Sequence, residues 1–361
     1  MTTKDYETSF FIHGRKISAD SSTYFIADIA SNHDGELERA KELIYLAKDA
    51  GADAVKFQHF LAEKIVSDYG FQHLGAKAGH QSKWKKSVFE VYRDAECHRD
   101  WNEILAQTAQ EAGIDFLTTP YDVEAVDGID ALVPAYKIGS GDITWTDFIA
   151  YVAQKKKPVF IATGAADFTD VIRAVETILR YNPKILLMQC NTNYTGSLEN
   201  MRYVNLHVLK TYAAMYPGMP LGLSDHTPGH ATVLGAIALG ARAVEKHFTS
   251  DTHREGPDHG FSMAPITWRD MVDRARELEA ALGTGIKCVE ENEKETVILQ
   301  QRALRLSQEV KVGETITEEM LEPLRPAPIG AFRPFEKACV VGRQVRHEMK
   351  KGQEIYPADL R

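Results

Sequence analysis

Eight short apolar, β-rich runs, each followed by a longer stretch of helical spacing, predict an α/β fold: a (β/α)8 TIM barrel over residues 1–285. Eight βα units spread over roughly 250 residues is the usual length of such a barrel. No GxGxxG or GxxxxGK(S/T) follows the first run, which sets the barrel above a doubly wound parallel sheet. Beyond residue 301 short strands and Gly/Pro turns replace long helices, predicting a small β-rich domain over 302–361.

In chain order, FFIHGRKI reads as a hairpin, polar at its HGR turn, placed to plug the N-terminal end of the barrel. The eight runs are 24–30, 54–58, 116–120, 135–140, 158–163, 185–190, 221–226 and 243–248. Apolar residues recur every three to four positions in GELERAKELIYLAKDAGAD after the first run and in TDVIRAVETILRYNP after the fifth, so these segments are helices. The last barrel helix is expected over 268–282, and the charged CVEENEKETVILQQR marks a linker at 286–301. The tail of about 60 residues is too small to bury much surface alone and is expected to dock on something.

With 42 Lys+Arg against 51 Asp+Glu and no basic run, the chain is not expected to bind nucleic acid or an anionic membrane. No apolar stretch approaches the roughly 20 residues needed to span a bilayer, and the first residues lack a charged start followed by an apolar core. A cytoplasmic protein is expected. Cys97, Cys190, Cys288 and Cys339 lie far apart without CxxC spacing, so buried reduced thiols are expected rather than disulfides or a thiolate zinc site.

In a parallel barrel the active face is built from the C-terminal strand ends and the loops after them. Here those ends are polar: Asp28, Lys56 with Gln58, Thr119, Lys137 with Ser140, Thr163, Thr192 with Tyr194, Ser224 with His226, and Glu245 with His247. Side chains alternate along a strand, so Lys56/Gln58, Ser224/His226 and Glu245/His247 each share a face and can point into one cavity. His226 and His247 end neighbouring strands, where two imidazoles can converge on a divalent cation with water and carboxylate completing the shell. The alternative is two unrelated histidines bonded at loop starts. Buried lysines are rare unless paired, so Lys56 and Lys137 imply a bound polyanion, with Thr119, Ser140 and Ser224 as hydroxyl donors for phosphate oxygens, unless the lysines reach out to solvent. In KIGSGD and SDHTPGH small residues let the backbone approach a ligand, or else Ser140, Asp142 and Thr227 simply cap βα turns. GPDHGFS lies after the eighth run, where a mobile cover could carry Asp258 onto a substrate.

NHDG, VKFQ, TTPYD, YKIGSGD, GLSDHTPG, ALGARAVEKHFT, REGPDHGFSM and RALRLSQEVKVGETITEEMLEPLRP, in order over nearly the whole chain, resemble the sialic acid synthase family. Its members make nonulosonic acids from phosphoenolpyruvate and an N-acyl-mannosamine-type sugar. The tail resembles the antifreeze-like (SAF) domain of that family, which implies a homodimer formed by domain swapping. The resemblance implies Mn²⁺ or Mg²⁺ on His226 and His247, and phosphoenolpyruvate on Lys56, Thr119, Lys137, Ser140 and Ser224. It further implies sugar on Gln58, Tyr194 and Asp258, with Arg325 lent by the tail to the neighbouring site. Asp28 is the expected proton acceptor, with Lys56 and Lys137 holding the phosphate.

Four features depart from the family. Asp28 and Asp142 stand where glutamate is usual, each one methylene shorter, and Asp142 there would meet a sugar hydroxyl. Thr192 takes the place of an Asn or Ser that binds substrate, with Asn191 or Asn193 able to compensate. The basic loop HLGAKAGHQSKWKKSVFEVYRD holds no counterpart of a family sugar-binding position, and RPAPIGAF replaces RPG-x-GI. The departures cluster on the sugar side, so an acceptor other than plain N-acetylmannosamine is expected. Two rival readings remain: a phosphoenolpyruvate-dependent octulosonate-phosphate synthase, against which the tail counts, and a non-catalytic carbohydrate- or ice-binding protein, which has no need of His226 and His247.

Overall fold

A computed structural model describes residues 6–74, 81 and 84–361; part of the basic loop named above, 75–80 and 82–83, lies outside the described residues. The chain divides into two compact units, 1–283 and 284–361. Among the described residues no helix is long and apolar enough to cross a membrane.

The first unit opens with a hairpin of β1 (Ser9–Ile12) and β2 (Arg15–Ser18), antiparallel with Phe10 opposite Ile17. Then follow β3 (Tyr24–Asp28), β4 (Ala54–His59), β5 (Asp115–Pro120), β6 (Tyr136–Ile138), β7 (Val159–Ala162), β8 (Ile185–Cys190), β9 (Leu221–Asp225) and β10 (Ala241–His247). Among the described residues these eight close a parallel barrel in sequence order, β10 pairing with β3. β6 is shorter than expected because Ser140–Asp142 already turns as a 3-10 helix. The last barrel helix starts earlier than expected, at Pro265, since proline at a first helical turn gives up only an N–H that would be unpaired anyway.

The two-residue period of a strand divides the barrel. Phe25, Ala27, Val55, Phe57, Val159 and Ile161 face the helices and join the large outer core. Tyr24, Ile26, Ala54, Leu117, Phe160, Leu186, Met188 and Ala243 point inward and form one apolar cluster with Phe10, Ile12 and Ile17 of the hairpin. That cluster seals the N-terminal end, as the FFIHGRKI reading anticipates. Arg15 pairs with Asp53 and His13 Nδ1 lies 2.7 Å from Asp115 Oδ1, fixing the plug to the barrel. One or two positions further along the same strands the inward residues turn polar. Gly222, on an inward-facing row, has no room for more: a Cβ there would lie 2.8 Å from the Ala243 carbonyl oxygen and 2.8 Å from Leu186 Cδ2.

A second buried polar group sits on the helix side of the barrel. Lys246 Nζ lies 2.5 Å from Asp225 Oδ2, and Thr227 and Thr232 donate to the same carboxylate at 2.9 and 2.7 Å. Burial, the largest single influence, would raise the Asp225 carboxyl, but the Lys246 charge together with the bonds from Lys246, Thr232 and the Thr227 backbone outweighs it and holds the group below its usual range. Thr227 therefore serves this cluster.

In the second unit, β11 (Ala303–Leu306) pairs antiparallel with β12 (Leu321–Leu324). Leu304, Leu306, Val310, Ile316, Val345 and Ile355 form its core. The stretch expected as a linker carries a short helix, Lys294–Gln300. Cys97 and Cys190 are buried and free, whereas Cys288 and Cys339 are free but exposed, correcting the expectation of four buried thiols; both lie in the smaller unit, which has less interior to offer.

Replacing Phe10 by Ala removes the largest hairpin side chain from the sealed end. The expected cost is about 3–5 kcal/mol of barrel stability, read as a lower urea midpoint; an unchanged midpoint would show that the hairpin is not part of the core.

Candidate active site

Above the apolar seal the inward rows carry four charged side chains and two imidazoles. Lys56 Nζ lies 2.8 Å from Asp28 Oδ2 on the neighbouring strand and donates to Thr119 Oγ1 at 2.9 Å. Lys137 Nζ lies 2.7 Å from Glu245 Oε1 across the barrel, with Ser224 Oγ 3.4 Å away. The two pairs meet: Lys56 Nζ is also 3.9 Å from Glu245 Oε1, and Ser224 donates to that oxygen at 3.3 Å. Lys56 is 1% and Lys137 3% exposed, so neither reaches solvent. Each lysine already holds a carboxylate, so burial by itself does not demand a bound polyanion. Glu245, conspicuous in the sequence only as another polar strand end, is the residue that couples the pairs, and one of its oxygens, Oε2, is buried without a hydrogen-bond partner.

Asp28 also accepts from Gln58 Nε2 (3.0 Å) and from the Ala30 backbone N–H (3.1 Å). Burial would raise its carboxyl, but the Lys56 and His247 charges and these bonds outweigh burial and bring it down to about 2. The shorter aspartate is thus fully engaged. Asp142 is the opposite case: its Oδ2 is buried with no hydrogen-bond partner among the described residues, and burial raises its carboxyl to about 6.

The rings of His226 and His247 lie 5.4 Å apart, centroid to centroid, at 50°. His226 Nδ1 is 3.0 Å from the Asn191 carbonyl oxygen. A carbonyl only accepts, so Nδ1 carries the proton and Nε2 keeps its lone pair. Burial first, and then the His247 charge, lower His226 to about 4, so it is neutral near pH 7. His247 Nε2 is 3.7 Å from Asp28 Oδ2, and its Nδ1, buried without a hydrogen-bond partner, is 3.9 Å from Asp258 Oδ2. Phe261 packs on His247 (4.8 Å) and Tyr194 on His226 (4.4 Å). Neither Phe261 nor the Asn191 carbonyl is marked by sequence pattern; a backbone oxygen is invisible to residue type.

Beside the imidazoles opens a cavity of about 380 Å³. Ser31, Gln58, Asp142, Tyr194, His247 and Asp258 give it one polar side; Phe60, Ile65, Val91, Tyr92 and Tyr121 give it an apolar one. Burial raises the Tyr194 hydroxyl well above its usual range, keeping it a neutral donor. Asp258 is fastened: its Oδ2 accepts from the Ser31 N–H (3.1 Å) and hydroxyl (2.7 Å). Ser140 Oγ accepts from the Gly164 N–H at 2.9 Å. Thr192 packs over Gly164, its Cγ2 only 2.6 Å from where a Cβ would stand, so only glycine fits there. Asn193 Oδ1 is occupied by Thr195 and Asn200, away from a compensating role. Arg325 belongs to the other unit, where it is exposed just after β12.

The sequence profile of the NeuB family matches residues 43–287 and that of the SAF domain 301–361. The chain is 34% identical over 354 residues to N,N'-diacetyllegionaminic acid synthase of Legionella pneumophila, covering 95% of this chain and 96% of that protein. It is 30% identical over 346 residues to pseudaminic acid synthase of Campylobacter jejuni, covering 95% and 98%. Its structure superposes on N-acetylneuraminic acid (sialic acid) synthetase of Leptospira borgpetersenii, solved in complex with citrate, with a TM-score of 0.70 and 26% identity, covering 80% of this chain and 95% of that one. By the extent of the profile match and the full-length relatives, the chain belongs to the NeuB family of acid synthases and carries a C-terminal SAF domain.

Proposed function

We propose that the protein condenses phosphoenolpyruvate with an N-acyl-mannosamine-type or related hexose, releasing inorganic phosphate by C–O cleavage. The observation that carries this reading is the convergence of two buried lysines, each on a carboxylate, beneath two imidazoles and beside a cavity with one polar side. The SAF match weighs against the octulosonate-phosphate alternative.

In this reading Lys56 and Lys137, with Thr119, Ser140 and Ser224, hold the enol ester. The open-chain sugar lies over Gln58, Asp142, Tyr194 and Asp258. The methylene carbon attacks the aldehyde carbon, water adds at the enol carbon, and the C–O bond to phosphate breaks, so that one water is consumed and one phosphate released. Asp28 takes a proton from that water and passes it to the alkoxide left on the former aldehyde oxygen, while the new C2 hydroxyl collapses to the ketone and its proton leaves with the phosphate. Paired with Lys56, Asp28 is a weak base; once Lys56 turns its charge to the ester's anionic groups, the Asp28 carboxyl rises towards its ordinary range and can accept a proton.

The site also fits a divalent cation. His226 presents a lone pair fixed by Asn191, and His247 has a buried nitrogen with no hydrogen-bond partner. Among the described residues no three His, Cys, Asp or Glu side chains are grouped so as to hold a metal ion, so water and substrate would have to complete the shell around His226 and His247. Mn²⁺ or Mg²⁺ on His226 and His247 supplies Lewis-acid polarisation of the aldehyde oxygen when bound. The assembly expected is a homodimer that exchanges C-terminal domains, Arg325 reaching the partner's sugar.

Three outcomes check this reading. His247→Ala is expected to lower phosphate release from phosphoenolpyruvate, hexosamine and Mn²⁺ by about 10³-fold, comparable with loss of a principal catalytic interaction; full activity would remove the two-histidine mechanism. Asp142 is neutral below and ionised above about 6, so as a hydroxyl acceptor it should make the sugar KM fall as pH rises through that value. Asp142→Asn should flatten the profile. Mass spectrometry of products from a hexosamine panel should show an altered or deoxygenated hexosamine preferred; N-acetylmannosamine turned over far above all others would refute the altered-acceptor reading.

A further inference from the structure

We propose that His259 and Asp34 are positioning residues, a clasp that fastens the loop after β10 to the loop after β3 and thereby sets Asp258 against the sugar and Phe261 against the imidazoles. His259 is fully buried, yet neither of its nitrogens meets the reacting groups. Nε2 is 2.8 Å from Asp34 Oδ1 and Nδ1 2.7 Å from Thr249 Oγ1. The other Asp34 oxygen accepts from Arg254 Nη2 (2.8 Å) and lies 3.0 Å from Arg39 Nε. One carboxylate thus gathers a histidine and an arginine of the later loop and an arginine of the first barrel helix, Leu37–Asp49.

Two further bonds run in parallel. Asn32 Nδ2 donates to Ser262 Oγ (2.9 Å), and Ser262 Oγ donates to the Asp258 carbonyl (2.7 Å). Gly256 is fitted to the clasp, since a Cβ there would stand 2.6 Å from His259 Cδ2 and 3.1 Å from its Nε2. The opposing segment is held in unusual backbone: Ala30 at φ 46° and Asp34 at φ 55° are both left-handed without being glycine. Such conformations persist where surroundings over-determine them. Between those two points lies Ser31, whose N–H and hydroxyl hold Asp258.

The consequence is directional. Strands carry Lys56, Lys137, Thr119 and Ser224 under the ester, whereas the clasp acts on Asp258, on the acceptor side. Loosening the clasp should weaken acceptor binding and leave ester binding alone. This split rests on the reading above that Asp258 faces the acceptor; the clasp itself does not.

The full-length chain tests both. In His259→Ala, Asp34→Asn and Gly256→Ala, hydrogen exchange of peptides covering 249–263 should quicken. KM for the acceptor should rise between about ten- and a hundredfold while KM for phosphoenolpyruvate stays within about twofold. His259→Gln, which keeps a donor for Asp34, should recover most of the loss. Gly256→Ala removes no polar group and covers the case in which His259→Ala fails to fold. Unchanged exchange in the variants, or both KM values rising together, overturns the clasp. Quickened exchange with both KM values unchanged keeps the clasp but removes Asp258 from the acceptor, and so strikes the functional reading instead.

Discussion

Everything at the rim depends on keeping two ammonium groups and two carboxylates charged inside a barrel whose floor is hydrocarbon. Lys56–Asp28 and Lys137–Glu245 do this by mutual neutralisation, with Thr119, Ser224 and Gln58 satisfying further donors and acceptors. Removing one partner of such a buried pair is strongly unfavourable, about 3–5 kcal/mol, because the other is left uncompensated. The site is therefore electroneutral at rest in these four groups. In the proposed reaction an incoming dianion would compete with these carboxylates for the same cations, and that competition would couple ligand binding to the basicity of Asp28. Asp28 also ties stability to pH: its carboxyl is depressed from 3.8 to about 2, so its stabilising effect is complete above the ordinary value and lost as pH falls through about 2.

The barrel was legible because a strand's period of two and a helix's of 3.6 leave different spacings, and the same periodicity placed Lys56, Gln58, Ser224, His226, Glu245 and His247 on inward rows. The hairpin showed itself through its turn. What stayed hidden was anything fixed across the barrel. Lys137 and Glu245 are 108 positions apart, so only closure makes them partners. Lys246 gave no hint of its burial, because one residue earlier or later on the strand would have placed it at the ester. The Asn191 carbonyl, Gly164 under Thr192, and the Ser31–Asp258 bonds belong to loops, whose course no periodicity dictates.

The two shortened acids differ for a physical reason. Asp28 sits on a strand beside a lysine, and a short side chain suffices because the cation comes to it. Asp142 ends a 3-10 turn and lines the cavity with an oxygen that has no hydrogen-bond partner among the described residues. One is complete within the chain. The other has a buried oxygen with no partner among the described residues, and its upward shift comes from burial.

Strand-borne and loop-borne halves of the site therefore obey different constraints. A change at Lys56, Lys137, Ser224 or Glu245 disturbs a buried charge array and the register of neighbouring strands at once. A change at Tyr121, at Tyr194 or at Tyr92 of the short helix Val88–Asp94 alters a cavity wall without unpairing a buried ion. Relatives named for legionaminic and pseudaminic acids share about a third of this sequence over nearly its whole length, and a barrel built this way accommodates such a spread. Its strands hold one set of charges in place while its loops re-shape the neighbouring cavity. The clasp of Asp34 and His259 sits at the seam between those halves, where a loop must be held with the rigidity of a strand for Asp258 and the His247 ring to keep their separation of 3.9 Å.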